Sequence, residues 1–354
     1  TKGEPSGISW RVRATESRPE TGATGSIVSS NIHHNYFGMY SYAAYKLHIT
    51  NSQFHDNIGY GIDPHTGTVA SEVAFNQVYN NGTHGIIFSR DCVNNSIHDN
   101  VVYGNAEHGI MLDRGSNNNS ITNNAVYNNI DGIAIFQSSN NTISNNRLHD
   151  NQRGIRINAT YDVNDIFDGI SANNTISNNI IENNAQYGIY LYERADRTLI
   201  QQNVVSGSGA TGVYIKTGGN TLTNNSIHLN GTGISIIGGP LSPFPSGGPK
   251  PVPALEQPGD KNTLTSNAIE DNDTTGVQLK GATNTLIGAA APGGGGANSV
   301  RTNGSYGITL NTAPTDTTIR GNTNEANGNA GVLGKDGASV RNRIALILCT
   351  TRQG

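Results

Sequence analysis

The segment Tyr60-Gly61-Ile62-Asp63-Pro64-His65 brings a phenol, a carboxylate and an imidazole together within six positions. Histidine titrates near neutrality, which suits it to moving protons. Tyrosine can deliver a proton from a second direction, and an arginine such as Arg90 grips a carboxylate through two parallel hydrogen bonds. Such a set suits removal of a proton beside a carboxylate, with the carboxylate's charge neutralised as the carbanion forms. Whether these side chains can meet depends on the element that carries them.

That element is a repeat. A polar or aromatic residue, a glycine and then Ile, Val or Met recur with the glycine at Gly38, Gly61, Gly85, Gly109, Gly132 and Gly154, spaced by 23, 24, 24, 23 and 22 residues. The motif returns at Gly188, Gly212, Gly233, Gly276, Gly307 and Gly331. Two more elements follow it, as in Asn95-Ser96-Ile97 and then Asn100-Val101-Val102-Tyr103. Three short strands joined by Asn, Gly and Ser turns make one coil of a solenoid, and neither a leucine-rich nor a helical spacing is present. The expected fold is all-β, a single-stranded right-handed parallel β-helix of about 12 coils and roughly 55–60 Å in length. Strand residues alternate inward and outward, so Met39, Ile62, Ile86, Ile110 and Ile133 stack inside. Asparagines at equivalent turns form amide ladders. The motif glycines supply either a positive φ or a close backbone approach.

Three intervals exceed the period. Gly154–Gly188 leaves room for a loop near Asp162–Asp168, Gly233–Gly276 holds a stretch rich in proline and glycine, and Gly276–Gly307 includes Gly293–Gly296. Because the repeat resumes each time, residues 1–354 read as one domain with a Pro/Gly-rich loop insertion near 238–260. Ile344–Cys349 is apolar and is expected to cap the last coil.

Composition agrees with a thin, elongated core: 34% of the 354 residues are hydrophobic, 14% are charged, and 44 are glycine. A net charge of only −4, with Ile, Val and Tyr recurring, argues against disorder. There is no basic stripe for nucleic acid and no apolar run long enough for a membrane span. Cys92 and Cys349 give no disulfide framework, and the Asn-x-Ser/Thr sites read as turn residues. Beginning at Thr1 without methionine, the sequence reads as a mature or trimmed chain. A monomeric protein, secreted or periplasmic, is expected.

On such a rod the outward positions of neighbouring coils form one patch. Pro64 stands where an inward apolar residue is usual, and Asp63 and His65 point outward from the same strand. One coil later come His84 and Arg90, two coils later His108, Asp113 and Arg114, and one coil earlier Phe37, Tyr40, Tyr42 and Lys46. Each has a plainer explanation, whether a solvated histidine, a surface ion pair or a stabilising tyrosine stack. Their coincidence on adjacent coils favours a functional cleft, with aromatic and basic residues holding flanking acidic sugars.

Tyr60–His65 resembles the Tyr-Gly-[Phe/Ile]-Asp-Pro-His motif of the mannuronan C5-epimerases, enzymes of alginate. His55-Asp56-Asn57 before it and His84-Gly85-Ile86-Ile87-Phe88-Ser89-Arg90 after it strengthen the likeness, which covers Phe37 to Arg90 specifically. The resemblance implies that His65 removes H5 of a mannuronate residue. Tyr60 would return a proton to the opposite face, giving guluronate. Asp63 would orient the neighbouring groups, Arg90 would neutralise the substrate carboxylate, and His84 would contact the sugar. Tyr40, Tyr42, Lys46, His108, Asp113 and Arg114 complete the expected substrate-binding set for alginate or polymannuronate. Family members commonly carry an acidic residue directly after the histidine, where Thr66 stands here.

Two other classes remain open from the residues. Proton abstraction followed by departure of the 4-linked sugar is a lyase reaction, and a β-helix can also bind polysaccharide without catalysis. A glycosidase needs paired carboxylates roughly 5–10 Å apart, and Asp63 with Asp113 leaves the histidines without a role. Gly293–Gly296, followed by Ala297 and Asn298, does not match the Gly-Gly-x-Gly-x-Asp calcium nonapeptide. No metal site or required cofactor is therefore expected, although loop carboxylates leave a single calcium ion possible.

Overall fold

The computed structural model describes residues 6–11, 22–159, 169–192, 194–241, 255–312, 314–334, 342–345 and 348–351. Every described strand belongs to one of three parallel sheets of thirteen strands each, and the chain visits the three in turn. One coil is typified by His108–Asp113 in the first sheet, Ser120–Thr122 in the second and Ala125–Tyr127 in the third. The thirteen strands of each sheet agree with a solenoid of about twelve coils, the added rung being Ser6–Arg11, with Gly7 at the motif position. At the other end, Arg343–Ala345 and Leu348–Thr351 do not cap the rod; they pair as its final strands in the second and third sheets.

The inward column runs as expected, with Met39, Ile62, Ile86, Ile110, Ile133, Ile155 and Ile189 all fully buried in one continuous core. A typical coil adds two apolar side chains from the first sheet, such as Ile110 and Leu112, and one from each of the others, such as Ile121 and Val126. Cys92 is a free thiol buried in the same core.

The abundance of asparagine has two separate causes, visible in the Asn-Asn doublets. The first residue of a doublet turns the corner in the left-handed region, as at Asn94, Asn123 and Asn145 with φ of 59°, 58° and 57°. Asparagine tolerates that conformation better than other side chains. The second is buried and joins a ladder. Asn100 Nδ2 donates to Asn124 Oδ1 at 3.0 Å, Asn124 to Asn146 at 3.0 Å, and Asn146 to Asn179 at 3.0 Å. The same amides also donate to strand carbonyls of the preceding coil, Asn100 to Val73 O and Asn124 to Ile97 O. The motif glycines do not lie at positive φ; they permit close approach. A Cβ on Gly85 would sit 2.7 Å from the Gly109 carbonyl oxygen and 2.8 Å from Asn105 Nδ2.

The long intervals leave the rod at its corners. The loop near Asp162–Asp168 lies outside the described residues; the chain departs after Asn158 and is back in place by Ile170, between first and second sheets. The Pro/Gly-rich excursion leaves from the same corner after Thr232–Ile237, and residues 242–254 within it are likewise outside the described set. The ladder crosses it, since Thr221–Thr223 pairs with Thr263–Thr265 and Thr232–Ile237 with Thr275–Lys280. The third insertion, carrying Gly293–Gly296, lies between Leu286–Gly288 of the second sheet and Ser299–Arg301 of the third.

Candidate functional site

The site occupies the outer face of the first sheet, where Ile62–His65 is the third rung. Its strand pairs with Phe37–Tyr42 through Tyr40↔Asp63, Ser41↔Pro64 and Tyr42↔His65. Toward the following strand, Ile86–Ser89, only Ile62↔Ile86 and Ser89↔His65 are matched. Pro64 explains the gap. Ile62 N donates to Gly85 O and Thr66 N to Ser89 O, so the Pro64 nitrogen faces Ile87 O with no hydrogen to give.

Three outward columns run along the rod. The left-hand column, just before the motif glycine, is a stack of rings. Phe37 and Tyr60 lie 4.9 Å apart, Tyr60 and His84 5.1 Å, and His84 and His108 4.8 Å, all nearly parallel. Below them His108 Nδ1 faces Asp131 Oδ2 at 3.0 Å, and Arg153 bonds the other oxygen of the same buried carboxylate. Burial alone would push the Asp131 carboxyl up, but His108 and Arg153 beside it together hold it below its ordinary range. His108 N donates to His84 Nδ1 at 3.4 Å, leaving His84 to carry its proton on Nε2. Burial, reinforced by His108, pushes the His84 pKa down to about 3, so the ring is neutral and offers an N–H.

The right-hand column holds His65, with the corner arginines Arg90 and Arg114 beyond it, both in the left-handed region at φ of 66° and 51°. Burial of His65, then the fields of Arg90 and Arg114, bring its pKa down to about 4. Both guanidinium groups are thus close enough to act on the ring. Thr66 Oγ1 lies 2.6 Å from His65 Nδ1. With Nδ1–H donating to that hydroxyl, the Nε2 lone pair is free to take a proton. Tyr40 stacks on the His65 ring at 5.6 Å, and the Arg11 guanidinium covers Tyr40 at 4.6 Å. Asp113 is buried and paired with Arg114, and Ser89 donates to it at 3.4 Å.

Between these margins runs a floor. Asp63, 1% exposed, occupies the outward position beside Tyr40, and the same column continues as Ile87, Met111 and Ala134. The last three form an apolar cluster with Phe136 and Tyr60, separate from the core. An apolar floor between a ring-lined margin and an arginine-lined one suits a polymer with C–H faces and repeated carboxylates.

Of the residues expected from sequence, the geometry groups Tyr60, His84 and His108 on one margin, His65, Arg90, Asp113 and Arg114 on the other, and Asp63 and Tyr40 between them. Tyr42 pairs with His65 one rung back. Lys46 stands apart: it lies on the second sheet, exposed, with its ammonium 5.0 Å from the Tyr45 ring. The alternation that placed Tyr40 and Tyr42 does not carry round the corner at Ala43, which has a positive φ. Sequence reasoning missed the floor and the Asp131–Arg153–Arg156 group. Apolar residues at outward positions, as in Ile87 and Met111, were the available signal.

His84, Glu107 and His108 are the one group of three potential metal ligands that converge among the described residues, with candidate atoms within 4.8 Å. The two imidazole planes are parallel and 4.8 Å apart, so no ion can lie in both planes with the rings as they stand. This arrangement does not fit copper or zinc, and its single carboxylate does not supply the oxygen shell calcium requires. No helix of the described residues is long and apolar enough to cross a membrane.

A family described as the right-handed β-helix region matches residues 166–345, just over half of the sequence, and the chain belongs to it. A second, described as periplasmic copper-binding protein (NosD), matches residues 15–170. Within this fold the curated relatives are mannuronan C5-epimerases. The enzyme of Pseudomonas putida is 42% identical over 74 residues, 21% of this chain and 14% of the relative. AlgG of Azotobacter vinelandii is 40% identical over 68 residues, 19% of this chain and 13% of the relative. The chain thus matches only about a seventh of these relatives' length. The crystal structure of the periplasmic alginate epimerase AlgG superposes with a TM-score of 0.51 and 29% identity, covering 57% of this chain and 51% of that one.

Proposed function

We propose that the chain is a mannuronan C5-epimerase acting on alginate outside the cytoplasm, either secreted or periplasmic. The observation that carries this is the pairing of His65, neutral and held at Nδ1, with the two arginines that act on it. Arg90, seconded by Arg114, binds the uronate carboxylate and lowers the acidity barrier at C5. His65 Nε2 takes H5, and the C–H electron pair spreads into the carboxylate, where the guanidinium charge stabilises it. Tyr60 gives its phenolic proton to C5 from the opposite face, and the imidazolium returns its proton through solvent to the phenolate. Asp63 and the apolar floor position the sugar, and His84 donates its Nε2–H to it. The proton transfers use no cofactor.

A lyase shares the first step and differs only in the carbanion's fate, with the electron pair expelling the 4-linked sugar. Proton NMR of polymannuronate incubated with the protein separates the two. Growth of guluronate signals, absent with His65→Ala, is the expected result. Unsaturated ends mean a lyase, and an unchanged polymer overturns catalysis on this substrate.

A further inference from the structure

On the eighth and ninth rungs of the first sheet the outward columns change character. Tyr187 and Tyr190 lie on the strand Tyr187–Leu191 with Tyr192 just past its end, and Tyr214 lies on Thr211–Ile215 with Lys216 just past its end. Tyr190 stacks on Tyr214 at 5.0 Å and lies parallel to Tyr192 at 5.6 Å, while Tyr187 tilts against Tyr190 at 4.9 Å. Lys216 Nζ sits 3.2 Å from the Tyr192 hydroxyl. The cluster is local: its central column reads Ala134, Arg156, Tyr190, Tyr214, and then Ser235, Gln278 and Thr309. A ladder required by the fold would continue past the ninth rung, and this one stops.

We infer that Tyr190 and Tyr214, together with Arg156, form a second carbohydrate-binding station on the catalytic face, for a distant part of the same acidic polysaccharide chain. The inference rests on the polyuronate reading above. Tyr190 and Tyr214 continue the column that holds Asp63, Ile87, Met111 and Ala134, so a polymer lying on the floor runs onto them. All four tyrosines are partly exposed. Burial and neighbouring phenols raise the Tyr190 pKa, which keeps its hydroxyl a donor toward sugar oxygens. Arg156 lies over Phe136 at 4.8 Å with its Nη1 3.6 Å from Asp131, and about a quarter of its side chain is exposed. It stands where the apolar floor ends, placed to meet a carboxylate.

Tyr190 and Tyr214 are five and six rungs from His65, about 24–29 Å along the rod at the spacing of parallel strands. An extended 1,4-linked pyranose chain advances about one rung per sugar, so the station holds the fifth or sixth ring beyond the reacting one. Short oligomers cannot touch both places, and longer ones gain from binding twice.

The test is the rate per enzyme, as kcat/KM, on oligomannuronates graded from trimer to decamer. For the wild type, kcat/KM is expected to rise about tenfold once the oligomer passes about six sugars. Tyr190→Ala/Tyr214→Ala should lose that step yet match the wild type on trimers, and Tyr190→Phe/Tyr214→Phe should keep part of it. A double-alanine variant with the wild-type length dependence overturns the station. Retardation of the same proteins in polymannuronate-containing gels separates this failure from that of the catalytic reading. A wild type that binds the polymer more tightly than the double-alanine variant without epimerising it keeps the station and refutes the epimerase; equal retardation of the two refutes the station.

Discussion

Replacing Thr66 by aspartate should move the titration of His65, the proposed base, and the structure sets the size of the move. Thr66 Oγ1 is 2.6 Å from His65 Nδ1, while burial and two arginines hold the imidazole at about 4. A carboxylate at this position would put a negative charge roughly 4 Å from the protonated ring, worth about 4 kcal/mol at an effective dielectric near 20. That is about three pKa units as an upper bound, and desolvation of the new carboxylate leaves an expected rise of about one to two. The proposed mechanism requires neutral His65, so the acid limb of kcat/KM on polymannuronate should shift from near pH 4 in the wild type to between about 5 and 6 in Thr66→Asp. The His65 Cε1–H resonance, assigned by its absence in His65→Gln, should follow the same curve without substrate. Thr66→Val should lower kcat by about tenfold without moving the limb, because it removes the bond that orients the ring and adds no charge. An unmoved limb and resonance in a folded Thr66→Asp protein would refute the assignment of His65 as base in this electrostatic setting.

His65 and His84 are depressed to about 4 and about 3 from an ordinary 6.5, so the unfolded chain takes up protons that the folded one refuses. Stability should be full above about pH 6.5 and fall as pH drops toward 4, by at most about 3 kcal/mol for His65; urea midpoints should show this, and His65→Gln/His84→Asn should flatten the loss. Asn124→Ala removes the acceptor of two bonds from Asn100 and the donor to Ile97 O, all buried, and should cost about 2–4 kcal/mol in urea melts with little effect on KM. Epimerisation rates should be unchanged by EDTA; a rate abolished by EDTA and restored by calcium would show that an ion completes the site.

The coil was legible because a solenoid writes its period directly into the chain: the motif glycine recurs wherever a Cβ would strike the next coil. The column containing Tyr60, His84 and His108 followed from that period alone. What the period does not carry is where a strand ends. Proximity in sequence groups Lys46 with Tyr40 and Tyr42, yet the turn at Ala43 sends it to another sheet. The inside–outside rule also hid the floor. It assigns Ile87 and Met111 to the solvent side, and they are buried there only because rings and guanidinium groups rise on either side of them. The tyrosines of the eighth and ninth rungs were individually visible, but their convergence depends on ring orientations that spacing does not specify.

The asparagine ladder also bears on how long the molecule lasts. Asn-Gly is the sequence most prone to spontaneous deamidation, since the glycine nitrogen can attack the side-chain carbonyl and close a succinimide ring. This chain has four such steps, at Asn81-Gly82, Asn230-Gly231, Asn303-Gly304 and Asn327-Gly328. In each the asparagine is buried, and the attacking nitrogen is already donating to the preceding coil: Gly82 to Asn57 O, Gly231 to Ser208 O, Gly304 to Asn272 O and Gly328 to Asn303 O, at 2.8–3.0 Å. The amide that would be attacked is held as well, with Asn81 bonded to Asn105 at 2.9 Å and Asn303 to Asn327 at 3.0 Å. Ageing at these sites therefore waits on local opening of the rod, and the chemical half-life of the protein is set by how rarely adjacent coils part.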